Sequence, residues 1–111
     1  MIDFQKEIER IVNNIVTKYD PIKIILFGSC ALGTQHEFSD IDLVVIKDTN
    51  DYYYDRLKEV VKIADIDDIE ADIIVYNPAE IQLLLDKGSR FFTLEVLEKG
   101  IVLYNKPLQA S

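Results

Sequence analysis

The sequence contains very little cysteine, proline or glycine and no tryptophan. Of its 111 residues one is cysteine (Cys30), three are proline and four are glycine. A lone cysteine excludes an intramolecular disulfide and a zinc site built from thiolates, so a reducing compartment, the cytoplasm, is expected. No apolar run approaches the roughly 20 residues that a membrane-spanning helix needs. The charged N-terminus does not resemble a signal peptide, and no membrane partner is expected.

The chain also lacks an excess of basic residues. Its net charge is -8, from 20 acidic and 12 basic residues. Residues 37–72 hold 12 of the acids and only 4 of the bases, so the whole excess lies in this central third. Such a chain would repel a nucleic-acid backbone, and no extended nucleic-acid binding is expected. The acidic segment indicates either a solvated face or a site for a cation.

The remaining composition is typical of a globular domain, with 49% hydrophobic and 29% charged residues. The length fits one domain that spans residues 1–111. Hydrophobic periodicity predicts five helical segments at 3–19, 30–32, 52–66, 78–86 and 90–99, and four strands at 22–27, 40–47, 71–76 and 101–104. This alternation predicts an α/β or α+β domain in which a sheet packs against helices. The pattern does not determine the order of the strands.

Gly28 and Ser29 directly follow the first strand and precede a short helical turn. Glycine lets a ligand approach the backbone closely, the serine offers a hydroxyl, and the turn offers free N–H groups. These are the features of a site for a phosphate-sized anion. A glycine–serine pair after a strand is, taken alone, most often only a turn.

Asp40 and Asp42 lie at the start of the second strand, and alternation along a strand points both carboxylates to one face. Two such carboxylates raise each other's pKa unless a cation neutralises them. Oxygen ligands of this kind suit Mg²⁺, which commonly binds one or two carboxylates together with substrate phosphates. An exposed strand with two solvated acids is the alternative.

Asp72 interrupts the apolar run of the third strand. A carboxylate buried there without a partner would cost several kcal/mol, so a partner is expected. If this strand neighbours the second strand, three carboxylates share one edge and can hold two metal ions about 4 Å apart, as in in-line phosphoryl displacement. Capping of the strand at the surface is the alternative.

Taken together, the pattern is Gly28 and Ser29, a gap of ten residues, Asp40 and Asp42, and then Asp72 on a later strand. It resembles the signature of the DNA polymerase β-like nucleotidyltransferase superfamily. The short chain is similar to the minimal nucleotidyltransferase group, many of whose members are encoded beside a small helical HEPN-domain protein. The resemblance covers nearly the whole chain. It implies a nucleotidyltransferase fold, similar to the polymerase β palm, with a mixed β-sheet packed against helices.

The resemblance also implies a reaction and its residues. Gly28 and Ser29 would hold the triphosphate of ATP or another nucleoside triphosphate. Asp40 and Asp42 would bind two Mg²⁺ ions, and Asp72 would bind the second and help to accept the proton of the attacking hydroxyl. The expected product is AMP on a hydroxyl, in a toxin–antitoxin role with a HEPN-type partner protein. A homo- or hetero-oligomer is compatible with this.

One position departs from the family pattern. Many members have arginine where this chain has Leu32, so a cation near the phosphates is missing from its usual place. Lys23 and Arg90 are the candidates that would compensate. The departure favours an alternative function, a non-catalytic antitoxin that neutralises a HEPN-type partner by occlusion. Transfer to a small molecule such as an aminoglycoside is a third reading, although those enzymes usually have an additional domain.

Three consecutive tyrosines at 52–54 offer a further feature. A helix turns only one or two of them towards a core, so at least one ring is expected at the surface. An exposed ring there would stack on a nucleobase or contact a partner protein.

Overall fold

The computed structural model describes residues 3–35, 40–66 and 70–107. They form one four-stranded sheet with helices on both faces. The helices are α1 (Phe4–Tyr19), α2 (Ser29–Leu32), α3 (Tyr53–Ala64), α4 (Pro78–Asp86) and the π-helix α5 (Phe91–Glu98). The strands are β1 (Lys23–Phe27), β2 (Ile41–Ile46), β3 (Ala71–Tyr76) and β4 (Ile101–Asn105). The predicted order of elements is thereby confirmed, and residues 36–39 of the predicted loop lie outside the described residues.

Two helices begin where side chains satisfy the first backbone N–H groups. The carboxylate of Asp3 accepts a hydrogen bond of 3.1 Å from the backbone N–H of Lys6 at the start of α1. At the start of α4, Asn77 and Glu80 form a reciprocal capping box, with Pro78 in the first turn. Both helices begin within one residue of the starts of the predicted segments 3–19 and 78–86.

The last helix differs from the prediction in type. An ordinary helix is predicted over residues 90–99, whereas α5 is a π-helix whose wider turns continue to Lys99, where the N–H donates to the carbonyl of Leu94 at 3.0 Å. Phe92 and Val96 are both fully buried along it. The sequence period does not distinguish the two types, because both place residues four apart on nearly the same face.

The sheet is mixed, with the order β3-β2-β1-β4. Strand β1 pairs antiparallel with β2 and with β4, and β2 pairs parallel with β3. Helix α3 connects the two parallel strands, as a parallel pair requires a crossover. The expected mixed sheet packed against helices is therefore confirmed, and the strand order is new information.

The two faces of the sheet bury different cores. On one face, α1 and α3 cover a cluster that includes Leu26, Leu43 and Val75. On the other face, α4 and α5 cover a smaller cluster around Ile25, Val44, Phe92 and Val96. In the described part of the chain, no helix is long and apolar enough to cross a membrane.

Candidate active site

Phe27, Asp42 and Asp72 lie in a row, side by side on three neighbouring strands, near one end of the sheet. Asp42 of β2 pairs with Phe27 of β1 on one side and with Asp72 of β3 on the other. The tertiary structure therefore brings together two carboxylates that are 30 positions apart in the sequence. This is the neighbouring arrangement on which the sequence-based interpretation of Asp72 depends. We call this end of the sheet the acidic end.

The row lies on the face that α4 and α5 cover. Side chains alternate along a strand, and the neighbours of Asp42, Ile41 and Leu43, belong to the core under α1 and α3. Ile73 next to Asp72 belongs to the same core. Asp42 and Asp72 consequently project from the opposite face, where Phe27 packs with the second core.

Gly28 brings the backbone directly against the carboxylate of Asp42. It has φ 75° and ψ -158°, a conformation that only glycine adopts readily. A Cβ at this position would lie 2.3 Å from Oδ2 of Asp42. The carbonyl of Gly28 accepts hydrogen bonds from the N–H groups of Ala31 and Leu32, which starts α2 at Ser29. The predicted glycine–serine turn thus lies beside the second of the predicted acids.

Like charges and burial act together on Asp42. Burial raises the pKa of its carboxyl group, and the nearby charges of Asp72 and Asp40 raise the pKa further. Asp40 lies immediately before β2 and is half-buried. The three predicted acids therefore lie close enough to influence one another, which is the electrostatic condition of a site that a cation would stabilise.

Asp72 is not buried, although its apolar neighbours in the sequence suggest a buried strand. It is exposed, at the second position of β3. The cost of burying a lone carboxylate therefore does not apply to it. Its relation to Asp42 comes from strand register rather than from burial.

The carboxylates of the acidic end supply part of the ligands that a metal ion needs. Within the described ranges, no group of three histidine, cysteine, aspartate or glutamate side chains converges into a complete set of ligands. Mg²⁺ usually takes one or two carboxylates from a protein and completes its octahedron with water and substrate phosphates. Asp42 and Asp72 offer two adjacent carboxylates, which is the number that Mg²⁺ usually takes from a protein. A cation would also offset the repulsion that raises the pKa of Asp42.

Cys30 lies close to the acids of the acidic end, in surroundings that disfavour its thiolate. Burial raises the pKa of its thiol, and the carboxylates of Asp42 and Asp40 raise it further. Its Sγ also lies 3.5 Å from the backbone carbonyl of Asp40. Because the thiolate is the reactive form, these surroundings suppress nucleophilic chemistry at Cys30.

The two candidate replacements for the missing family arginine lie in different places. Lys23 pairs with Ile46 at the far end of β1, roughly 15 Å from Gly28 by the rise of an extended strand, so it does not face the acidic end. Arg90 directly precedes Phe91, whose ring packs on Phe27. Of the two, Arg90 is the one that is next in sequence to a residue packed at the acidic end.

The tyrosines at positions 52–54 are not at the acidic end. They lie at the start of α3, after the opposite end of β2, and all three are exposed. Tyr53 is close enough to Glu80 and Arg56 for their charges to act on the pKa of its phenol, which burial raises. Among the described residues, the exposed aromatic side chain beside the site is instead Phe91. Sequence reasoning missed it because its periodicity marks it only as part of a helix.

Comparisons with known proteins agree with this geometry. Residues 7–101 match the nucleotidyltransferase domain family. A candidate protein adenylyltransferase of Methanocaldococcus jannaschii is 34% identical over 104 residues, which are 90% of this chain and 97% of the relative.

Solved structures share the fold. A candidate nucleotidyltransferase of Sulfolobus solfataricus superposes with a TM-score of 0.64 at 20% identity, over 91% of this chain and 79% of that chain. A toxin–antitoxin structure with AMP-PNP superposes with a TM-score of 0.53 at 26% identity, over 88% of this chain and 73% of that chain. With its sequence match, its fold and its paired carboxylates, this chain belongs to the nucleotidyltransferase domain family and is a nucleotidyltransferase.

Proposed function

We propose that this nucleotidyltransferase transfers AMP from ATP to a hydroxyl group of a partner protein in a reaction that requires Mg²⁺. The observation that carries the proposal is the pairing of Asp42 with Asp72, next to a glycine whose missing side chain leaves room for the carboxylate of Asp42. The choice of ATP and of a protein acceptor is supported by the M. jannaschii relative, which is named as a candidate protein adenylyltransferase, and by the neighbour with AMP-PNP.

In the proposed reaction the acceptor oxygen forms a bond to the α-phosphorus of the nucleotide. The bond from that phosphorus to the bridging oxygen breaks, and pyrophosphate leaves with the electron pair. The proton of the acceptor hydroxyl passes to Asp72. Such transfer depends mainly on positioning and on neutralising charge, so it needs few protein groups.

The residues have separate roles in this proposal. Asp40, Asp42 and Asp72 are the carboxylates that would hold Mg²⁺, and the phosphates of the nucleotide would complete a site for two ions. Bound Mg²⁺ would neutralise the negative charge that develops on the phosphates. Gly28 and Ser29 hold the triphosphate, because glycine at position 28 leaves the backbone open to a ligand.

The partner is proposed to be the toxin of a toxin–antitoxin pair. Two of the structural neighbours come from toxin–antitoxin structures, one with AMP-PNP and one of an MntA–HpeT mutant. A small helical HEPN-type protein is the partner that we propose, and modification of its hydroxyl group would inactivate it.

A second candidate function is inhibition by binding alone. Leu32, at the end of α2, has an exposed fraction of 53%. An apolar side chain at this place favours contact with a protein over contact with phosphate. In this alternative the chain covers a HEPN-type partner without modifying it.

Label transfer distinguishes the two functions. The purified protein is incubated with α-³²P-labelled ATP, Mg²⁺ and lysate of its own host, and labelled protein bands are detected after electrophoresis. We expect one band of the partner's size that disappears with EDTA and with Asp40→Asn/Asp42→Asn. The same assay with GTP, CTP and UTP tests the choice of base.

A charge-matched control separates chemistry from net charge. Asp48→Asn/Asp55→Asn removes two exposed carboxylates at the other end of the sheet. This variant should label the partner as the wild type does. If the wild type labels nothing but still captures a small helical protein and blocks its activity, inhibition by binding replaces the proposed reaction.

A further inference from the structure

An exposed aromatic ring stands beside the acidic end. The ring of Phe91, at the start of α5, packs edge-to-face against the ring of Phe27, with 5.5 Å between centroids and an interplanar angle of 86°. Phe27 is the strand partner of Asp42 and directly precedes Gly28. Phe91 therefore lies next to the row of Phe27, Asp42 and Asp72, on the same face of the sheet.

The core does not account for Phe91. Its neighbour Phe92 is fully buried and packs edge-to-face on Tyr76, as a core residue does. Phe91 has an exposed fraction of 41% and contacts the sheet only through the ring of Phe27 among the aromatic pairs of the described residues. Because Phe91 packs on the strand partner of Asp42, its exposed ring face is available to a ligand held at the acidic end, and aromatic side chains commonly line such sites.

We infer that Phe91 is the surface on which the nucleobase of the bound nucleoside triphosphate stacks. The inference rests on the proposed function, because it takes the phosphates to lie at Gly28 and Asp42. A nucleobase is separated from the α-phosphate only by the ribose, and Phe91 is separated from Asp42 only by Phe27. Stacking on an aromatic side chain is the common way in which proteins bind a base without reading its hydrogen-bonding edge.

Stacking on Phe91 would determine which nucleobases the site prefers. A phenyl ring offers a π-face and no hydrogen-bonding group, so it accepts every base and favours those with the larger ring system. Phe91 therefore gives the site a preference for purine over pyrimidine nucleotides and does not separate adenine from guanine.

Binding calorimetry tests the inference with two probes. The wild type and Phe91→Leu are titrated with Mg·ATP and with Mg·tripolyphosphate, which has the phosphates and lacks the base. We expect Phe91→Leu to weaken the binding of Mg·ATP about ten-fold or more and to leave that of Mg·tripolyphosphate unchanged. Phe91→Tyr should bind Mg·ATP as the wild type does, and Phe91→Leu should lose the preference for ATP over CTP.

Two features of the design keep its outcomes separate. Leucine preserves an apolar contact with Phe27, and Leu94→Ala removes another exposed apolar side chain of α5 as a matched control that should leave both affinities unchanged. Unchanged Mg·ATP affinity in Phe91→Leu, or an equal loss for both probes, would overturn the inference and leave the proposed function standing. A wild type that binds neither probe would overturn both.

Discussion

At Gly28 the absence of a side chain decides where the carboxylate of Asp42 lies. The backbone of Gly28 has a positive φ of 75°, and a Cβ would come within 2.3 Å of Oδ2 of Asp42. Gly88 has a similar φ of 68° but open space around it. Both glycines have a positive φ, but Gly28 also has ψ -158°, in a region that is essentially restricted to glycine, and of the two only Gly28 lies against the acid.

This contrast leads to a prediction for Gly28→Ala. Gly88→Ala should lower the free energy of unfolding by about 1–2 kcal/mol, because alanine is strained at positive φ. Gly28→Ala should lower it by more, because the new Cβ would also meet the carboxylate of Asp42. Only Gly28→Ala should reduce nucleotidyl transfer, by about 100-fold, because a misplacement of about 1 Å has this effect on a reacting group. Urea unfolding and the labelling assay measure the two effects, and equal activity in both variants would contradict the prediction.

Cys30 provides a chemical readout of the charges on the site. Burial and the carboxylates of Asp42 and Asp40 raise the pKa of its thiol, so little thiolate exists at pH 8. We predict slow alkylation of Cys30 by iodoacetamide and a rate several-fold higher in Asp42→Asn, because thiolate is the reacting form. Mass spectrometry follows the reaction. Asp55→Asn, which lies in α3, is the control and should react at the rate of the wild type.

Among the elements, α3 and α4 are joined by a nearly buried arginine at the end of the sheet opposite to the acids. Arg56 is 5% exposed and donates to Glu80 Oε1 at 2.6 Å through Nη1, and to the carbonyl of Asp51 at 2.8 Å through Nε. Its Nη1 also lies 3.4 Å from the carbonyl of Val75 in β3. Arg56 thus connects the loop after β2, strand β3 and the capping box of α4.

Loss of this arginine should destabilise the fold without altering the site. We expect Arg56→Met to lower the free energy of unfolding by about 3 kcal/mol, because Glu80 and two backbone carbonyls lose their donor. Glu80→Gln should cost only about 1 kcal/mol, because glutamine still serves the capping box and the side chain is partly exposed. Urea unfolding measures both, and weakened Mg·ATP binding by folded Arg56→Met would contradict the separation of the two ends.

The end of α1 contributes a dependence on alkaline pH. Burial raises the pKa of Tyr19 to about 12, with the charges of Glu59 and Asp51 adding to the effect. Between pH 10 and 12 the folded chain keeps the phenolic proton, whereas the unfolded chain loses it. Stability contributed by Tyr19 is therefore complete below pH 10 and falls as pH rises towards 12.

Tyr19→Phe should remove this dependence. The free energy of unfolding of the wild type should decrease by about 2–3 kcal/mol more than that of Tyr19→Phe between pH 9 and pH 12. Urea unfolding at intervals of one pH unit measures the difference between the two slopes. Parallel slopes would show that the Tyr19 phenol is not shifted.

In the whole molecule the two ends of the sheet differ in how their charges are compensated. At the acidic end, burial and then the like charges of Asp72 and Asp40 raise the pKa of Asp42, whose charged form is therefore disfavoured in the folded chain. At the other end, Arg56 compensates Glu80. The carboxylates of the acidic end therefore repel one another in the ligand-free fold, and a bound cation would reduce this repulsion. Such an arrangement is typical of functional sites.

Thermal unfolding should reveal this arrangement. Asp42→Asn should raise the Tm of the ligand-free protein at pH 7, and the difference should shrink as pH falls and Asp42 of the wild type takes up its proton. Mg·ATP should stabilise the wild type by about 2.7 kcal/mol at 100 times its Kd and should stabilise Asp42→Asn much less. A higher Tm for the ligand-free wild type than for Asp42→Asn at pH 7 would contradict the prediction.

Much of the fold and of the site follows from local patterns in the sequence. Periodicity predicts the elements, two helices begin after the capping residues Asp3 and Asn77, and the motif from Gly28 to Asp42 resembles that of the nucleotidyltransferases, the family to which the chain belongs. These features are readable because each depends on residues within one element or one turn: a helix or a strand buries a fixed face, and a cap bonds to N–H groups two or three residues away.

Only the tertiary structure decided how these elements meet. The strand order, the position of Asp72 opposite Asp42, the distance of Lys23 from the site and the closeness of Phe91 to Phe27 all join segments far apart in the sequence. Register between strands is set by side chains on several elements that must share one core, and no single segment contains that information. The sequence by itself thus determined which acids are available. The packing of the elements determined that Asp42 lies beside Asp72 and that the ring of Phe91 lies beside Phe27.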